Sequence, residues 1–330
     1  LNPAAAVVAV LRDNLHGLEL DPRCTQIAAF NLALASWKLA GFQALPTLHL
    51  ACSGLAPNAS EREWIAVAKD NDRLKRGMQR LHALFQEAPV LGSLIQPDSL
   101  EGNLLDAPFG ELAPLLAEAL ASLELGKPEN DTLEAAVTAQ GLAKAAELLG
   151  SRFTLVVTNV PYLGAGKQTD ALKQFCERHH KDAKADLATA FLERCLAFCQ
   201  PEHGSTALVT PQNWLFLGSY KKLRQRLLQD VSWNSVARLG PRAFETIGGE
   251  VVNVALLTLT RRTPGAGHAL TGLDVAAAHT PELKAASLAK DALTQVSQEG
   301  QLGNPDARIS SEESEVAQLL NTHASTATGM

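Results

Sequence analysis

The chain has 330 residues, 46% hydrophobic and 19% charged. At roughly 150 residues per domain this suggests about two domains, and the composition excludes a mainly disordered, collagen-like or coiled-coil protein. The net charge of −6, from 29 Lys and Arg against 35 Asp and Glu, argues against a small basic nucleic-acid module but is compatible with an enzyme that has a local basic groove.

The sequence carries no signal for a membrane or for export. No apolar run approaches the ~20 residues that a helix needs to span a bilayer, and the N-terminal residues lack the basic flank and apolar core of a signal peptide. The five cysteines are an odd and low number that fits reduced thiols better than a disulfide framework. We therefore expect a cytoplasmic protein without membrane association.

Predicted strands alternate with predicted helices along the first 262 residues. Residues 15–21 form a short strand that ends in acids, and Pro22 suits the first turn of a helix that ends at Gly41. The other predicted elements, in chain order, are a helix over 3–15, a strand over 45–55, helices over 61–85 and 133–149, a strand over 153–158, a helix over 184–199, a strand over 206–210, a helix over 219–229, and strands over 231–239 and 251–259. This alternation predicts an α/β fold with a mostly parallel sheet.

The composition changes after Arg262, where Ala, Gly, Ser, Thr and Asp become frequent and strands become hard to identify. We therefore predict a core over residues 1–262, with a helical insertion at 56–150. Residues 263–330 are predicted to be the beginning of a further region, because so few residues of this composition make a poor independent core.

The sharpest local signal is the sequence Asn159, Val160, Pro161 and Tyr162, directly after the predicted strand over 153–158. Open α/β sheets bind ligands beyond the carboxyl ends of their strands. There an Asn oxygen can accept one N–H of a planar amine, a backbone carbonyl of the turn can accept the other, and a Tyr ring can stack on a base. Taken alone, the four residues also fit a plain turn with a half-buried Tyr.

This turn resembles motif IV of the amino-methyltransferases, Asn-Pro-Pro-Tyr, with Val160 in place of the first Pro. Residues 16–22 are similar to motif II of the same enzymes, a strand whose terminal acid binds the ribose of S-adenosylmethionine. The longer strings that resemble the adenine-specific DNA methyltransferases of BREX phage-defence systems, the PglX family, lie at residues 21–29, 159–163, 166–168, 184–189 and 211–216.

The resemblance implies a Rossmann-like, S-adenosylmethionine-dependent core whose mostly parallel sheet is closed by an antiparallel hairpin, with residues 240–244 and the strand over 251–259 as its matching segments. This core would methylate the N6 amine of an adenine flipped out of double-stranded DNA. It also implies a role in phage defence, beside other defence proteins. Asn159 and the carbonyl of Val160 would accept the amine protons, with Pro161 completing the turn. Tyr162 would stack on the adenine, and Phe244 would support its other face.

The resemblance assigns cofactor binding to Glu19. We add Asp21, which ends the same predicted strand, and Ser53, which lies at the end of the next one. Two departures from the family pattern matter. The Gly-rich cofactor loop, on a strand before motif II, has no counterpart in residues 1–14, and the third motif ends in Ser53 rather than in an acid or an amide. We therefore expect an internal fragment of a longer enzyme, without its first strand and at the start of its target-recognition region.

Basic residues near the turn offer contacts to the DNA backbone. Lys167 lies in the loop after Tyr162, and Lys221, Lys222 and Arg224 cluster on the predicted helix over 219–229. A solvated helix face is the plainer interpretation of that cluster.

No zinc pattern is present among the Cys and His residues after 175. The adjacent residues His179 and His180 cannot point the same way on a helix, and no second Cys pair completes a site. We predict buried free thiols at Cys176, Cys195 and Cys199, and no metal site.

Two other functions stay open. Release-factor methyltransferases use the same turn on a glutamine side chain, although the long insertion at 56–150 argues against those compact enzymes. A DNA-binding or assembly module without catalysis would account for the absent Gly-rich loop.

Overall fold

In the computed structural model the chain divides into two compact units, residues 1–151 and 152–330. The structure describes residues 2–97, 130–244 and 252–310, and also 112, 114–119 and 121. Within these ranges, no helix is both long enough and apolar enough to cross a bilayer.

The first unit combines a two-stranded parallel sheet with helices. Its elements are α1 (Pro3–Asp13), β1 (His16–Glu19), α2 (Pro22–Ala40), β2 (His49–Cys52), α3 (Glu61–Ala66), α4 (Asp72–Phe85), α5 (Ala88–Leu91) and α6 (Asn130–Gly150). Helix α2 confirms the expectation from Pro22 and Gly41. Asp21 caps its first turn by accepting from the backbone N–H of Arg23 at 2.8 Å, and Gly41 ends it with a φ of +76°.

The helical insertion differs from the prediction in one respect, because residues 61–85 form two helices rather than one. Ser60 and Glu63 make a capping box at the start of α3. The chain then leaves the helix through Lys69, whose φ is +46°. Asn71 starts α4 by accepting from the N–H of Leu74 at 3.0 Å. The capping side chain of Asn71 thus starts a new helix within a stretch whose apolar spacing alone predicts one continuous helix.

The ends of β1 and β2 are held together tightly. The N–H of Ser53 donates to the carbonyl oxygen of Glu19 at 2.7 Å, which continues the parallel pairing in which Glu19 lies opposite Cys52. At Gly54 the backbone passes so close that a Cβ would lie 2.1 Å from the carbonyl oxygen of Leu20. Only glycine fits there without a backbone shift.

The second unit is built on one six-stranded sheet. Its elements are β3 (Leu155–Asn159), α7 (Asp170–His179), α8 (Leu187–Phe198), β4 (Ser205–Pro211), α9 (Lys221–Asp230), β5 (Ser232–Gly240), β6 (Val254–Thr260), β7 (Ala269–Asp274), α10 (Pro281–Lys290), β8 (Thr294–Ser297) and α11 (Gln298–Gly303). Its core contains Leu192 of α8, Leu223 and Leu227 of α9, Trp233 of β5 and Leu257 of β6.

The strand order is β3-β4-β6-β5-β7-β8. Strand β3 pairs in parallel with β4, and β5 with β7, whereas the β4–β6, β6–β5 and β7–β8 pairs are antiparallel. The α/β class and the antiparallel closing pair β5–β6 are as predicted. The sheet is mixed, with a larger antiparallel share than expected, because β6 runs back between β4 and β5 and β8 runs back along β7.

The region after residue 262 does not form a separate body in the described part of the chain. Strands β7 and β8 extend the sheet beyond β5, and the two compact units divide at residue 151. The boundary predicted at 262 falls between β6 and β7, where the composition changes.

Strand β3 lies at the opposite end of this sheet. Among the described residues it pairs on one side only, with β4. Leu155 and Val157 project from it with 59% and 69% of their surface exposed. A strand of mainly apolar residues thus stands at one end of the six-stranded sheet.

The contact at Gly54 gives a stability test. We expect Gly54→Ala to destabilise the protein by about 1–3 kcal/mol, because the added methyl group forces apart the two strand ends. Gly141→Ala is the matched control: nothing lies within 4 Å of its Cβ position on α6, so it should stabilise by about 0.5–1 kcal/mol. Urea unfolding followed by circular dichroism measures both. Equal stability of Gly54→Ala and wild type would contradict the close approach.

Candidate functional site

The turn after β3 alternates exposed and buried residues. Asn159 ends the strand with its side chain exposed, Val160 is 3% exposed and belongs to the core, and Pro161 is again exposed. Tyr162 is half-buried and packs against the edge of the same core. The carboxamide of Asn159 is therefore presented to solvent at the carboxyl end of a parallel strand, the place where ligands bind in sheets of this kind.

Tyr162 and Asn159 contact each other. The Tyr162 hydroxyl donates to Oδ1 of Asn159 at 3.2 Å. Burial, and after it the negative charge of Asp186, raises the pKa of Tyr162, so the phenol keeps its proton at neutral pH and remains a donor. An amide oxygen has two lone pairs, so this bond orients the carboxamide and leaves Oδ1 able to accept a second proton.

Val160 stands where the methyltransferase motif has its first Pro, and two contacts restrict its backbone in place of the proline ring. The N–H of Val160, which a Pro would lack, donates to the carbonyl oxygen of Val209 on β4 at 3.3 Å. Its side chain is buried in the core. The turn is thus held by a hydrogen bond and by packing rather than by a fixed φ.

Glu19 ends β1 with an exposed carboxylate. Its Oε1 accepts from the backbone N–H groups of Leu20 at 2.8 Å and of Asp21 at 3.3 Å. Both bonds fall on one oxygen, and no hydrogen bond from a described residue reaches Oε2. The carboxylate is therefore oriented, with one oxygen available for a hydroxyl group of a ligand. This fits the ribose of S-adenosylmethionine, which offers hydroxyl donors.

The other two predicted cofactor residues have structural partners. Asp21 caps α2 and pairs with Arg23 at 2.6 Å, and these contacts lower its pKa to about 2. Ser53 is fully buried, and its hydroxyl lies 3.3 Å from the carbonyl oxygen of Glu19 and 3.1 Å from Oγ of Ser93. The assignment of Ser53 to the cofactor is therefore corrected, because its side chain points inward and fixes the position of Glu19.

Arg224 requires a second correction. The predicted contact to a DNA phosphate is wrong, because the side chain is fully buried. Its guanidinium donates to the carbonyl oxygens of Trp214 at 2.5 Å, Leu217 at 2.8 Å, Asp306 at 2.8 Å and Ala307 at 3.1 Å. Arg224 thus joins the loop after β4 to residues near the end of the described chain.

The other basic residues are at the surface. Lys167 and Lys222 are exposed, and Lys221 pairs with Asp306 at 3.3 Å. Phe244, predicted to support a flipped base, follows β5 with 44% of its surface exposed. All four side chains are at the surface, and Lys221 has a carboxylate partner in Asp306.

The cysteines are free, as predicted. Cys176, Cys195 and Cys199 are buried, and burial raises the pKa of Cys195 to about 12 and that of Cys199 to about 11. They therefore remain protonated thiols. His180 is buried, and its Nδ1 shares a hydrogen bond of 2.6 Å with the carboxylate of Glu193.

A family model matches most of the chain. A model of the Eco57I restriction-modification methylases matches residues 13–244, which include β1, the turn after β3 and Phe244. The chain belongs to the Eco57I restriction-modification methylase family.

Two curated relatives of this Eco57I-family chain are similar over most of its length. It is 29% identical over 259 residues to the adenine-specific methyltransferase PglX of Lacticaseibacillus casei strain Zhang, and 26% identical over 279 residues to the adenine-specific methyltransferase BrxX of Escherichia coli O9:H4 strain HS. The matches cover 77% and 78% of the chain but only 20% and 22% of the relatives. The resemblance to the PglX family is confirmed, and the chain spans about a fifth of the length of these relatives.

A solved structure supports the fold. The chain aligns with the Type ISP restriction-modification enzyme LlaGI, a nuclease-deletion mutant in complex with a DNA substrate mimic, with a TM-score of 0.52 and 11% sequence identity. The alignment covers 89% of this chain and 21% of that enzyme. At this identity the likeness concerns the fold alone.

The contact between Asp186 and the turn after β3 was not predicted from the sequence. Asp186 precedes an apolar helix, a recognisable cap signal, and the structure shows its carboxylate accepting from the N–H of Leu163, the residue after Tyr162. A cap signal indicates where a helix starts, but it does not indicate which distant loop the same carboxylate reaches.

The buried guanidinium gives the second stability test. We expect Arg224→Leu to destabilise the protein by about 3–5 kcal/mol, because buried carbonyl groups lose their donor. Lys222→Leu, on the same helix but exposed, is the matched control and should leave stability nearly unchanged. Urea unfolding measures both variants. If Arg224→Leu were as stable as Lys222→Leu, the side chain would be free and a DNA contact would be open again.

Proposed function

We propose that the chain is part of a DNA methyltransferase that transfers a methyl group from S-adenosylmethionine to the N6 amine of a flipped adenine. The observation that carries the proposal is the exposed carboxamide of Asn159 at the carboxyl end of β3, with the backbone of Val160 and the ring of Tyr162 directly beside it. The adenine-specific relatives support the same base, and their names support a role in BREX phage defence.

The second unit would hold the amine. Oδ1 of Asn159 accepts one of its protons and the carbonyl oxygen of Val160 the other. Two acceptors would raise the electron density on the nitrogen and orient its lone pair for attack on a methyl carbon. Bound S-adenosylmethionine supplies that methyl group on a sulfonium centre. Neither acceptor is a strong base, so the surplus proton leaves the nitrogen after the transfer.

Two aromatic side chains would hold the adenine between them. Tyr162 covers one face of the adenine and Phe244 the other, because aromatic rings stack on bases and replace the stacking lost when a base leaves the duplex. Lys167 and Lys222 are exposed and suit contacts to DNA phosphates. These contacts position the duplex without reading its sequence.

The first unit would hold the cofactor. The oriented carboxylate of Glu19 accepts from the ribose hydroxyl groups, and the buried Ser53 keeps the end of β1 in place for it. Hydrogen bonds to a charged group are worth roughly 1.5–3 kcal/mol each. Loss of the Glu19 charge should therefore be measurable in cofactor affinity.

The role of Asn159 is tested in the protein expressed at its natural full length. We expect Asn159→Ala to lower methyl transfer to DNA by roughly 10²–10³-fold, since an acceptor aimed at the reacting amine is lost. Asn31→Ala, at an exposed position of α2, is the matched control and should be fully active. Radiolabelled S-adenosylmethionine, followed by chromatography of the nucleosides, measures the product.

The location of the label decides between the candidate functions. Label in N6-methyladenine that disappears in Asn159→Ala supports the proposal. Label in protein glutamine would favour the release-factor type of reaction. DNA binding without cofactor binding or label would favour an assembly module.

The role of Glu19 has its own test. We expect Glu19→Gln to weaken S-adenosylmethionine binding by roughly 10–100-fold, because the carboxylate charge is lost while the shape is kept. Asp21→Asn tests the second predicted acid: Asn also caps helices well, so a loss of affinity in this variant reports a contact to the cofactor and not a lost cap. Isothermal titration calorimetry on the protein of natural length measures both. A larger loss in Asp21→Asn than in Glu19→Gln would move the ribose contact to Asp21.

A further inference from the structure

The segment directly after the Asn159–Tyr162 turn is paired with the start of α8. The N–H of Leu187 donates to the carbonyl oxygen of Leu163, and the N–H of Ala165 to that of Ala185, both at 3.0 Å. Between these two bonds Gly164 and Asp186 face each other in an antiparallel bridge. The chain that leaves Tyr162 is therefore fastened to a second segment as soon as the turn ends.

The carboxylate of Asp186 adds a side-chain contact to this pairing. Its Oδ1 accepts from the N–H of Ala188 at 2.9 Å, which caps α8, and from the N–H of Leu163 at 3.3 Å. One oxygen thus serves the first turn of a helix and the residue after Tyr162 at the same time. A cap alone would need only the bond to Ala188.

Asp186 is itself rigidly held. The hydroxyl of Thr189 lies 2.7 Å from the carbonyl oxygen of Asp186 and 2.5 Å from that of Ala183. Ala188 and Leu192 on α8 are buried in the core of the unit. A carboxylate mounted on a packed helix can transmit a fixed position to a loop.

The charge of Asp186 is felt at the turn. It acts with burial, the larger cause, to raise the pKa of Tyr162 and to raise the pKa of Tyr220 to about 12. Asp186 therefore lies close enough to Tyr162 to favour its protonated phenol, the form that donates to Asn159. Helix α8, Asp186, Leu163, Tyr162 and Asn159 form one connected chain of contacts.

We propose that Asp186 is a positioning residue for methyl transfer, which fixes Tyr162 and, through it, the carboxamide of Asn159. This inference rests on the proposed function and adds a residue that touches neither adenine nor cofactor. A misplaced acceptor weakens the hydrogen bond that the transferring amine makes, so the rate of the chemical step should fall while the binding of DNA is kept.

Three variants of the protein at its natural full length separate positioning from capping. Asp186→Asn keeps an oxygen of the same reach for both N–H groups. Asp186→Ser keeps a good helix cap, but its shorter side chain does not reach Leu163. Thr280→Ala removes a cap from α10, a helix elsewhere in the unit, and reports the effect of a lost cap by itself.

Two measurements are made on each variant. Steady-state methylation of genomic DNA that lacks the modification gives kcat and the KM for DNA. Hydrogen exchange followed by mass spectrometry on the peptide over 159–166 reports how firmly the turn is held, without reference to activity.

We expect Asp186→Ser to lower kcat by about tenfold or more with an unchanged KM, and to speed exchange in that peptide by a similar factor. Asp186→Asn should restore both values, and Thr280→Ala should change neither. Wild-type kcat and wild-type exchange in Asp186→Ser would overturn the inference. If the wild-type protein transfers no methyl group to DNA, the proposed function fails, and the exchange data alone then decide whether Asp186 holds the turn.

Discussion

The parallel pairing of β3 with β4 is the constraint on which the candidate site depends. Parallel strands bring their carboxyl ends to the same edge of a sheet, so Asn159 comes to lie opposite Val209. The bond from the N–H of Val160 to Val209 extends this pairing by one residue into the turn. The departure from the Asn-Pro-Pro-Tyr motif is therefore absorbed by the sheet, because a residue with an N–H can use a partner that a Pro cannot.

Buried polar side chains join the later part of the second unit to the sheet. Arg224 binds carbonyl groups of the loop after β4 and of residues 306 and 307. The buried Nζ of Lys284 donates to the carbonyl oxygens of Leu239 at 2.6 Å and of Val275 at 3.3 Å. Gln298 donates to those of Leu228 and Val231. Each of these side chains donates to backbone carbonyl groups that water would otherwise bind. These contacts make residues 263–310 part of the same body as the strands before residue 262.

The sequence indicates most of the residues of the candidate site, but few of the buried contacts that hold those residues in place. Residues 153–158 are recognisable as a strand from their β-branched run, and Asn159 follows directly. Ser53 and Arg224 were assigned to ligands from their residue types, yet both bind backbone carbonyls. For Arg224 two of these lie 82 and 83 residues away along the chain. Neither spacing nor periodicity records such partners, because any residue has a carbonyl group.

The composition of β3 has a consequence for what can pair with it. Its residues Leu155–Asn159 include neither a Lys nor a Pro, the residues with which proteins commonly keep the edge of a sheet from pairing with another chain. Near-continuous apolar runs such as Leu155–Val157 are typical of parallel strands in the interior of a sheet. Strand β3 thus has the composition of an interior strand, and a charge introduced at Val157 is the change that would oppose its pairing with a further strand while leaving Asn159 in place.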